Sequence, residues 1–274
     1  MTDDTEDSLT LSTDALAALT EFYAERDAQT QNLEKLKARV DADDGERADG
    51  GERGGGGGVN ASTAAELSIH AFTEDWNESQ FWYADETANL LASQLLDGTS
   101  DDSVIAVVST PSVFVALRKI TAAAAYAGPK PKTFLLEHDY RFAVFPELVF
   151  YDFAQPLKLP AHLKGAVDRM ICDPPFLSDD CQTKMAMTMR WLAHTNTGTT
   201  TTAAATAAAA NSTLPRVLIC TGERMEELVN RLYKPLGVST TTYEPVHSGL
   251  KNEFRCYANF ECEAWRWQKK IENS

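Results

Sequence analysis

An acidic corner with two prolines is the segment of this sequence best suited to chemistry. Asp173-Pro174-Pro175-Phe176 follows an apolar run and precedes a helix start at Ser178. Two consecutive prolines fix the backbone and lack amide hydrogens, so we expect the carbonyls at this corner to face outward without a partner. The Asp173 carboxylate and the Pro174 carbonyl could then hold the hydrogens of an amino group while its lone pair stays free to attack. The alternative is a plain strand-to-helix turn, because Asp and Pro are common turn residues.

The segments around this corner alternate between strand and helix patterns. Segments with apolar residues at helical spacing cover residues 85–96, 112–124, 179–193 and 223–233. Short apolar runs typical of strands cover residues 104–109, 133–137, 148–153, 169–172, 217–221, 240–243 and 254–260. This alternation predicts a mostly parallel sheet with helices on both faces. Ligands of such sheets bind at the carboxyl ends of the strands, which is where the fourth strand meets Asp173.

The last two strand patterns have no helix between them, so we expect an antiparallel hairpin there. A mostly parallel sheet of seven strands with an antiparallel C-terminal hairpin is the layout of class I, Rossmann-like methyltransferases. In that α/β layout, the position of the corner after the fourth strand favours a functional role for Asp173 over a plain turn.

Composition excludes several classes of protein. With 274 residues, of which 43% are hydrophobic, the chain can bury the core of one sizeable α/β domain. The net charge of −15 disfavours a phosphate backbone as partner and suits a basic one. No apolar run is long enough to span a bilayer, and the acidic first residues are unlike a signal peptide, so we expect a cytoplasmic protein. The five cysteines show no CxxC spacing and the five histidines no shared spacing, which predicts no disulfide framework and no metal site.

Shifts in composition predict the domain organisation. Residues 1–40 form an N-terminal helical extension, and residues 41–66 form a disordered linker rich in acidic residues and glycine. The methyltransferase domain covers residues 67–267, and a short tail follows at 268–274. Within that domain, the Thr/Ala tract at 195–213 is predicted to be a low-complexity surface insertion.

Longer motifs accompany the DPPF corner: LAALTEFYAE at 16–25, QFWY at 80–83, EHDYRF at 137–142, FYDF at 150–153 and NEFRCY at 252–257. With them, the chain resembles the lysine methyltransferases of translation elongation factor 1-alpha, a branch of the N6-adenine-type amino methyltransferases that share DPP[FY]. The resemblance implies S-adenosylmethionine as cofactor and elongation factor 1-alpha as protein substrate, and we expect a monomer. The alternatives are an adenine N6-methyltransferase on DNA or RNA, and an inactive fold that only binds a partner.

The resemblance also implies cofactor-binding roles at matching positions. Glu137 would accept hydrogen bonds from the ribose hydroxyls, with Asp139 as the alternative if the strand runs two residues further. Asp152 would accept from the adenine amino group, unless it is a solvated loop acid. Four residues, together with Asp173, would line the methionine end of the cofactor: Gln80, Phe81, Tyr83 and Thr87. An aromatic cluster at the start of a core helix is the alternative for the aromatic residues of the 80–83 motif.

The turn after the first strand departs from most class I enzymes. Residues 108–112 form a Ser/Pro turn where a glycine-rich turn is usual, and the branch that the chain resembles has such a turn as well. Ser109, Thr110 and Ser112 could bind the cofactor or cap the following helix.

The substrate side is predicted from the corner and from the last strand. Asp173 and Pro174 are the predicted catalytic acceptors, and Phe176 would pack on the incoming group. Asn252 and Arg255 would face the substrate cleft, although Arg255 could instead pair with a surface acid.

Overall fold

The computed structural model describes residues 68–72, 74, 80–194, 214–249 and 253–268. The chain divides into two compact units, Met1–Gly56 with His70–Thr73 and Gly57–Ile69 with Glu74–Ser274. Of the first unit only residues 70–72 are described, and the architecture below is that of the second. The predicted N-terminal extension, the linker to residue 66, the insertion at 195–213 and residues 269–274 of the tail lie outside the described residues. The predicted domain bounds therefore stay predictions.

Seven strands form one sheet in the part of the chain that the structure describes. Numbered in chain order, they are β1 Val104–Val108, β2 Lys132–Glu137, β3 Leu148–Phe150, β4 Arg169–Cys172, β5 Arg216–Gly222, β6 Ser239–Thr240 and β7 Phe254–Ala258. Their order across the sheet is β3-β2-β1-β4-β5-β7-β6. The first five strands pair in parallel, and β7 runs antiparallel between β5 and β6. The predicted class I methyltransferase fold is thus confirmed.

Four α-helices among the described residues accompany these strands: α1 Asp85–Leu96, α2 Pro111–Ala122, α3 Asp179–Leu192 and α4 Glu226–Leu232. Helix α3 begins after Ser178, whose side chain accepts a hydrogen bond from the backbone N of Cys181 at 3.3 Å. Two acidic residues in its first turn complement the helix dipole. Helix α2 links β1 to β2 and helix α3 links β4 to β5, so the two connections lead in opposite directions across the sheet. Right-handed crossovers place them on opposite faces.

Strand β1 is the point at which the strand order reverses, because β2 lies on one side of it and β4 on the other. Ligands of open α/β sheets bind in the crevice at such a point, beyond the carboxyl ends of the strands. The strands around it are apolar and buried, and α3 and α4 share one hydrophobic core with β4 and β5. The sheet therefore holds the loops that follow β1, β2 and β4 on a rigid support.

Three predicted element bounds were wrong by three residues. Strand β3 ends at Phe150 because the side chain of Asp152 accepts a hydrogen bond from the backbone N of Ala154 at 2.8 Å and turns the chain. Strand β6 ends at Thr240, after which the backbone pairs with the segment near Trp267 instead of extending the strand. The helix predicted at 223–233 starts with a 3-10 turn and is α-helical only from Glu226.

Candidate active site

A cavity of about 570 Å³ lies at the carboxyl ends of β1, β2 and β4. Its volume is in the range of small-molecule sites. Twelve residues that the sequence nominated line it: Gln80, Phe81, Tyr83, Ser109, Thr110, Ser112, Glu137, Asp139, Asp152, Asp173, Pro174 and Phe176. They come from separate segments of the chain, so the tertiary structure brings most of the candidate site together.

Asp173 lies directly after β4 in the wall of this cavity. Its backbone N donates to the carbonyl of Val108 at 3.2 Å, which ties the corner to β1. Its Oδ2 accepts a hydrogen bond of 2.5 Å from the hydroxyl of Tyr83, and no described residue donates to Oδ1. Burial raises the pKa of the Asp173 carboxyl to about 7, although the bond from Tyr83 acts in the opposite direction. Asp173 can therefore change its charge near neutral pH.

The rest of the corner is held from the α3 side. Pro174 is buried, and its carbonyl has no hydrogen-bond donor among the described residues. Gln182 Nε2 donates to the carbonyl of Phe176 at 3.3 Å. The Phe176 ring is 40% exposed and lies 5.6 Å from that of Phe153, measured between ring centroids. The corner therefore brings together a carboxylate, a carbonyl without a donor and a partly exposed ring. These are the groups that the amine-binding prediction requires.

Glu137 is the last residue of β2 and is buried. Its Oε1 accepts hydrogen bonds from the backbone N of His138 at 2.8 Å and of Asp139 at 3.2 Å. Its Oε2 has no donor in the described part of the chain. Burial raises the pKa of the Glu137 carboxyl to about 7, against the two backbone hydrogen bonds that lower it. Because β2 does not run two residues further, the condition for the Asp139 alternative is not met.

Asp139 is instead the centre of a polar network. It accepts hydrogen bonds from Arg141 Nε at 2.7 Å, from the backbone N of Arg141 at 2.8 Å and from Gln80 Nε2 at 3.1 Å. Arg141 also donates to Gln80 Oε1 at 2.7 Å. Burial alone would raise the pKa of Asp139, but these bonds outweigh it and the pKa lies below its ordinary value. Asp139 is therefore a fixed negative charge in the cavity wall.

The Ser/Pro turn after β1 does not cap helix α2. Thr110 occupies the cap position without a side-chain cap hydrogen bond, so the capping prediction is wrong for this residue. The first helical residue is Pro111, which has no amide hydrogen to offer. Ser112 Oγ accepts from the backbone N of Tyr83 at 3.4 Å, and Ser109 has a left-handed φ of 54°. The buried Thr110 Oγ1 in the cavity wall has no partner among the described residues, which leaves it available to a ligand.

Two nominated cofactor residues are engaged within the protein. Thr87 is not among the residues of the cavity wall, and its hydroxyl accepts hydrogen bonds from Tyr243 Oη and from the backbone N of Val246, both at 3.2 Å. Asp152 does line the cavity, but its Oδ1 accepts from the backbone N of Ala154 at 2.8 Å. Thr87 therefore fastens the segment after β6, and Asp152 stabilises its own loop.

Arg255, the nominated substrate residue that lies in β7, does not line the cavity. Arg255 pairs with Glu223 at 2.8 Å and with Glu244, as the surface-pair alternative expects. It borders a second cleft, which shares two wall residues with the main cavity. Asn252 lies outside the described residues.

Several cavity residues were not nominated from the sequence. His247 forms an isolated β-bridge with Tyr83, and the two rings lie 4.5 Å apart between centroids. Burial lowers the pKa of His247 to about 4, so this histidine is neutral at neutral pH. Arg224, Tyr140 and Arg141 also line the cavity. Arg141 could have been found, because it lies within the 137–142 motif, whereas His247 follows a segment without any pattern.

The described ranges lack two kinds of feature. No group of three or more His, Cys, Asp or Glu there could hold a metal ion. No helix among the same residues is long and apolar enough to cross a membrane. All five cysteines are free thiols.

The strand order and the cavity beyond β1, β2 and β4 define a class I methyltransferase. A family described as "Probable N6-adenine methyltransferase" matches residues 74–262. Protein-lysine N-methyltransferase EFM5 of Saccharomyces cerevisiae is 38% identical, over 94% of this chain and 94% of that protein. EEF1A lysine methyltransferase 1 of Gallus gallus is 36% identical, over 95% of this chain and 98% of that protein. The Homo sapiens protein of the same name is 34% identical, over 94% of this chain and 96% of that protein. The chain therefore belongs to this family, among its protein-lysine N-methyltransferases, which confirms the predicted family and enzyme class.

Proposed function

We propose that this protein transfers methyl groups from S-adenosylmethionine to a lysine of translation elongation factor 1-alpha. The observation that carries the proposal is that Asp173 Oδ1 and the Pro174 carbonyl are adjacent at the edge of the cavity. Neither acceptor has a hydrogen-bond donor among the described residues. The names of the relatives support a lysine in elongation factor 1-alpha as the acceptor. We also propose that the enzyme works as a monomer in the cytoplasm.

The cavity wall offers the groups that S-adenosylmethionine needs. Glu137 Oε2 would accept hydrogen bonds from the ribose hydroxyls, since two adjacent donors suit one carboxylate. Thr110 Oγ1, which is buried and unpaired among the described residues, would bond a polar atom of the cofactor. Ser109, Gln80, Phe81 and Tyr83 would surround its methionine end, and Asp152 its adenine. When bound, S-adenosylmethionine supplies an activated methyl group on a positively charged sulfur.

The Asp173 corner would prepare the lysine amine. An amine with two hydrogens held by Asp173 Oδ1 and by the Pro174 carbonyl has its lone pair free, and such positioning supplies much of the rate of a transfer reaction. A free lysine has a pKa of about 10.4, so it arrives as an ammonium group and must lose a proton. Asp173 can hold that proton at Oδ1 and release it to solvent, because the pKa of its carboxyl is about 7. The half-exposed Phe176 would pack on the methylene groups of the lysine.

A competition assay tests this function. Purified enzyme, tritiated S-adenosylmethionine, elongation factor 1-alpha and double-stranded DNA are combined in one reaction, and the label in each polymer is counted after separation. We expect label in the protein, and peptide mass spectrometry to find methylated lysine there. The Asp173→Ala variant should transfer nothing, whereas Asp102→Ala, which alters an exposed loop acid outside the cavity, should transfer normally. Label in the DNA alone would replace this proposal with adenine methylation.

A further inference from the structure

Three contacts besides the bond to Asp173 fix the position of Tyr83. Its backbone N donates to Ser112 Oγ at 3.4 Å, and its backbone forms a β-bridge with His247. The His247 ring covers one side of the phenol ring at 4.5 Å and is itself packed edge-on against Phe254 at 4.4 Å, both measured between centroids. Only 1% of Tyr83 is exposed. The position of its hydroxyl is therefore set by the fold and does not depend on a bound ligand.

The hydroxyl has two polar partners, the Asp173 carboxylate and the Cys220 thiol. It donates to Asp173 Oδ2 at 2.5 Å, which is a short, charge-assisted hydrogen bond when the carboxylate is ionised. With Oδ2 occupied, Oδ1 is the oxygen that remains for a ligand. We propose that Tyr83 is a positioning residue for lysine methylation, which turns the Asp173 carboxylate so that a single oxygen, Oδ1, meets the amine. This inference rests on the proposed function and adds to it the residue that orients the acceptor.

Among the groups around Asp173, Tyr83 is the one that changes the pKa of its carboxyl after burial itself. Three thiols face Asp173: Cys172 from β4, Cys181 from α3 and Cys220 from β5. Burial raises the pKa values of Cys172 and Cys181, and the contact with Cys256 together with burial raises that of Cys220. All three thiols therefore stay neutral. His247, behind Tyr83, is neutral as well. Arg224 and Glu137 face the same cavity, and Glu137 is the second carboxyl with a pKa of about 7. Because we place Glu137 on the cofactor, its titration is expected in the KM for S-adenosylmethionine and not in kcat.

The loss of the Tyr83 hydroxyl should therefore have a signature in kcat. Tyr83→Phe keeps the ring and its contact with His247 but removes the donor from a buried carboxylate. Since that bond lowers the pKa of Asp173, the midpoint of the rise of kcat with pH should move to higher pH in the variant. We also expect kcat at pH 7 to fall by roughly tenfold or more, because removal of a preorganised donor costs up to about 10²–10³ in rate when it acts directly. The affinity for S-adenosylhomocysteine, which carries no group at the position of the transferred methyl, should change less than twofold, because the variant keeps the ring that we place beside the methionine end of the cofactor.

The kinetic test uses elongation factor 1-alpha and S-adenosylmethionine at saturating concentrations between pH 6 and pH 9. The matched control is Tyr257→Phe, which removes another buried tyrosine hydroxyl that has no partner among the described residues and does not line the cavity. We expect the control to keep the kcat profile of the unmodified enzyme. An unchanged midpoint in Tyr83→Phe, or an equal shift in the control, would overturn the proposal.

A second measurement does not require turnover. Aspartate carboxyls labelled with carbon-13 are titrated by NMR in the unmodified enzyme and in Tyr83→Phe, and Asp173→Asn assigns the Asp173 resonance. The resonance should titrate at higher pH in Tyr83→Phe, and identical titrations would refute the Tyr83–Asp173 coupling. If the unmodified enzyme methylates no elongation factor 1-alpha, the proposed function fails, while the NMR result still decides whether Tyr83 controls Asp173.

Discussion

Asp139 and Asp173 are two aspartates of one cavity wall with opposite electrostatics. Each follows a parallel strand, β2 or β4, and these strands flank β1 on its two sides. Asp139 accepts hydrogen bonds from Arg141 and Gln80, and the pKa of its carboxyl lies below the ordinary value. From the described residues Asp173 accepts one hydrogen bond, that of Tyr83, and burial raises the pKa of its carboxyl to about 7.

The number of donors decides what each carboxylate can do. Burial opposes charge at both positions, but only at Asp139 do a guanidinium group and an amide outweigh it. A carboxylate with all its partners in the protein serves as a fixed anchor. One with a free oxygen and a pKa near neutrality can exchange protons, and such perturbed groups are typical of functional sites. We therefore propose that Asp139 is a structural anchor and that Asp173 takes part in the chemistry.

The largest effect is expected from Asp173→Asn. The amide keeps the shape of the side chain but cannot take a proton, so we expect kcat/KM to fall by roughly 10²–10³-fold or more. The fold should respond in the opposite sense. The folded pKa of Asp173 exceeds its unfolded value near 3.9, so the unmodified protein loses stability as pH rises from that value through about 7. At pH 8 the variant should therefore be more stable by on the order of 1–2 kcal/mol, measured by urea unfolding.

If the variant is not more stable at pH 8, the ionised Asp173 carboxylate does not destabilise the folded protein. The contrast with Asp139 would then fail. Asp102→Asn serves as the control for both measurements, since Asp102 is exposed and lies outside the cavity.

Glu137→Gln tests whether the second carboxyl with a pKa near 7 serves the cofactor. We expect the cofactor analogue sinefungin to bind about 10–100-fold more weakly, which corresponds to the loss of charge-assisted hydrogen bonds. In the unmodified protein, affinity should increase from pH 6 to pH 8 as Glu137 ionises, and in the variant this increase should be smaller, since only Asp173 still titrates there. Isothermal titration calorimetry measures both, with the exposed Glu227→Gln as control. An increase in affinity of the same size in Glu137→Gln would assign the titration to another group.

Arg141→Gln tests whether the ionised Asp139 carboxylate stabilises the fold through its bonds to Arg141. Ionised Asp139 contributes stability that is present above its unfolded pKa and is lost as pH falls through the lower folded pKa. Removal of the guanidinium should therefore cost on the order of 1 kcal/mol in the free energy of unfolding at pH 7, after allowance for solvent screening. The difference between the two proteins should shrink below pH 4. Equal losses at pH 7 and pH 3 would show that Arg141 acts through packing and not through the charge of Asp139.

The smallest effect is expected from Arg255→Gln. Because Arg255 pairs with Glu223 and Glu244 at the surface, its loss should change the free energy of unfolding by less than about 1 kcal/mol. The KM for elongation factor 1-alpha should rise less than tenfold. A larger rise would return Arg255 to the substrate side, as the sequence first suggested, and would extend the functional region from the Asp173 corner into the second cleft.

The candidate site was predictable where its signals are local. The DPPF corner is readable because prolines restrict the backbone whatever their surroundings. Glu137 is readable because an apolar strand ends on a carboxylate. The cap at Thr110 was predicted wrongly, since the formation of a cap depends on a few competing hydrogen bonds. His247 could not be predicted, because the contact that brings it to the cavity comes from a segment without periodicity.

By itself, the amino-acid sequence determined the alternation of strands and helices, the seven-stranded class I fold, and the place of Asp173 after the fourth strand. These follow from periodic burial and from backbone restriction, which act over a few neighbouring residues. Only the tertiary structure decided that Tyr83, 90 residues away in the chain, donates to Asp173, that Thr87 turns away from the cavity, and that Arg255 pairs with surface acids. Hydrogen bonds and desolvation depend on which distant segments meet, and that is set by the order of the strands across the sheet.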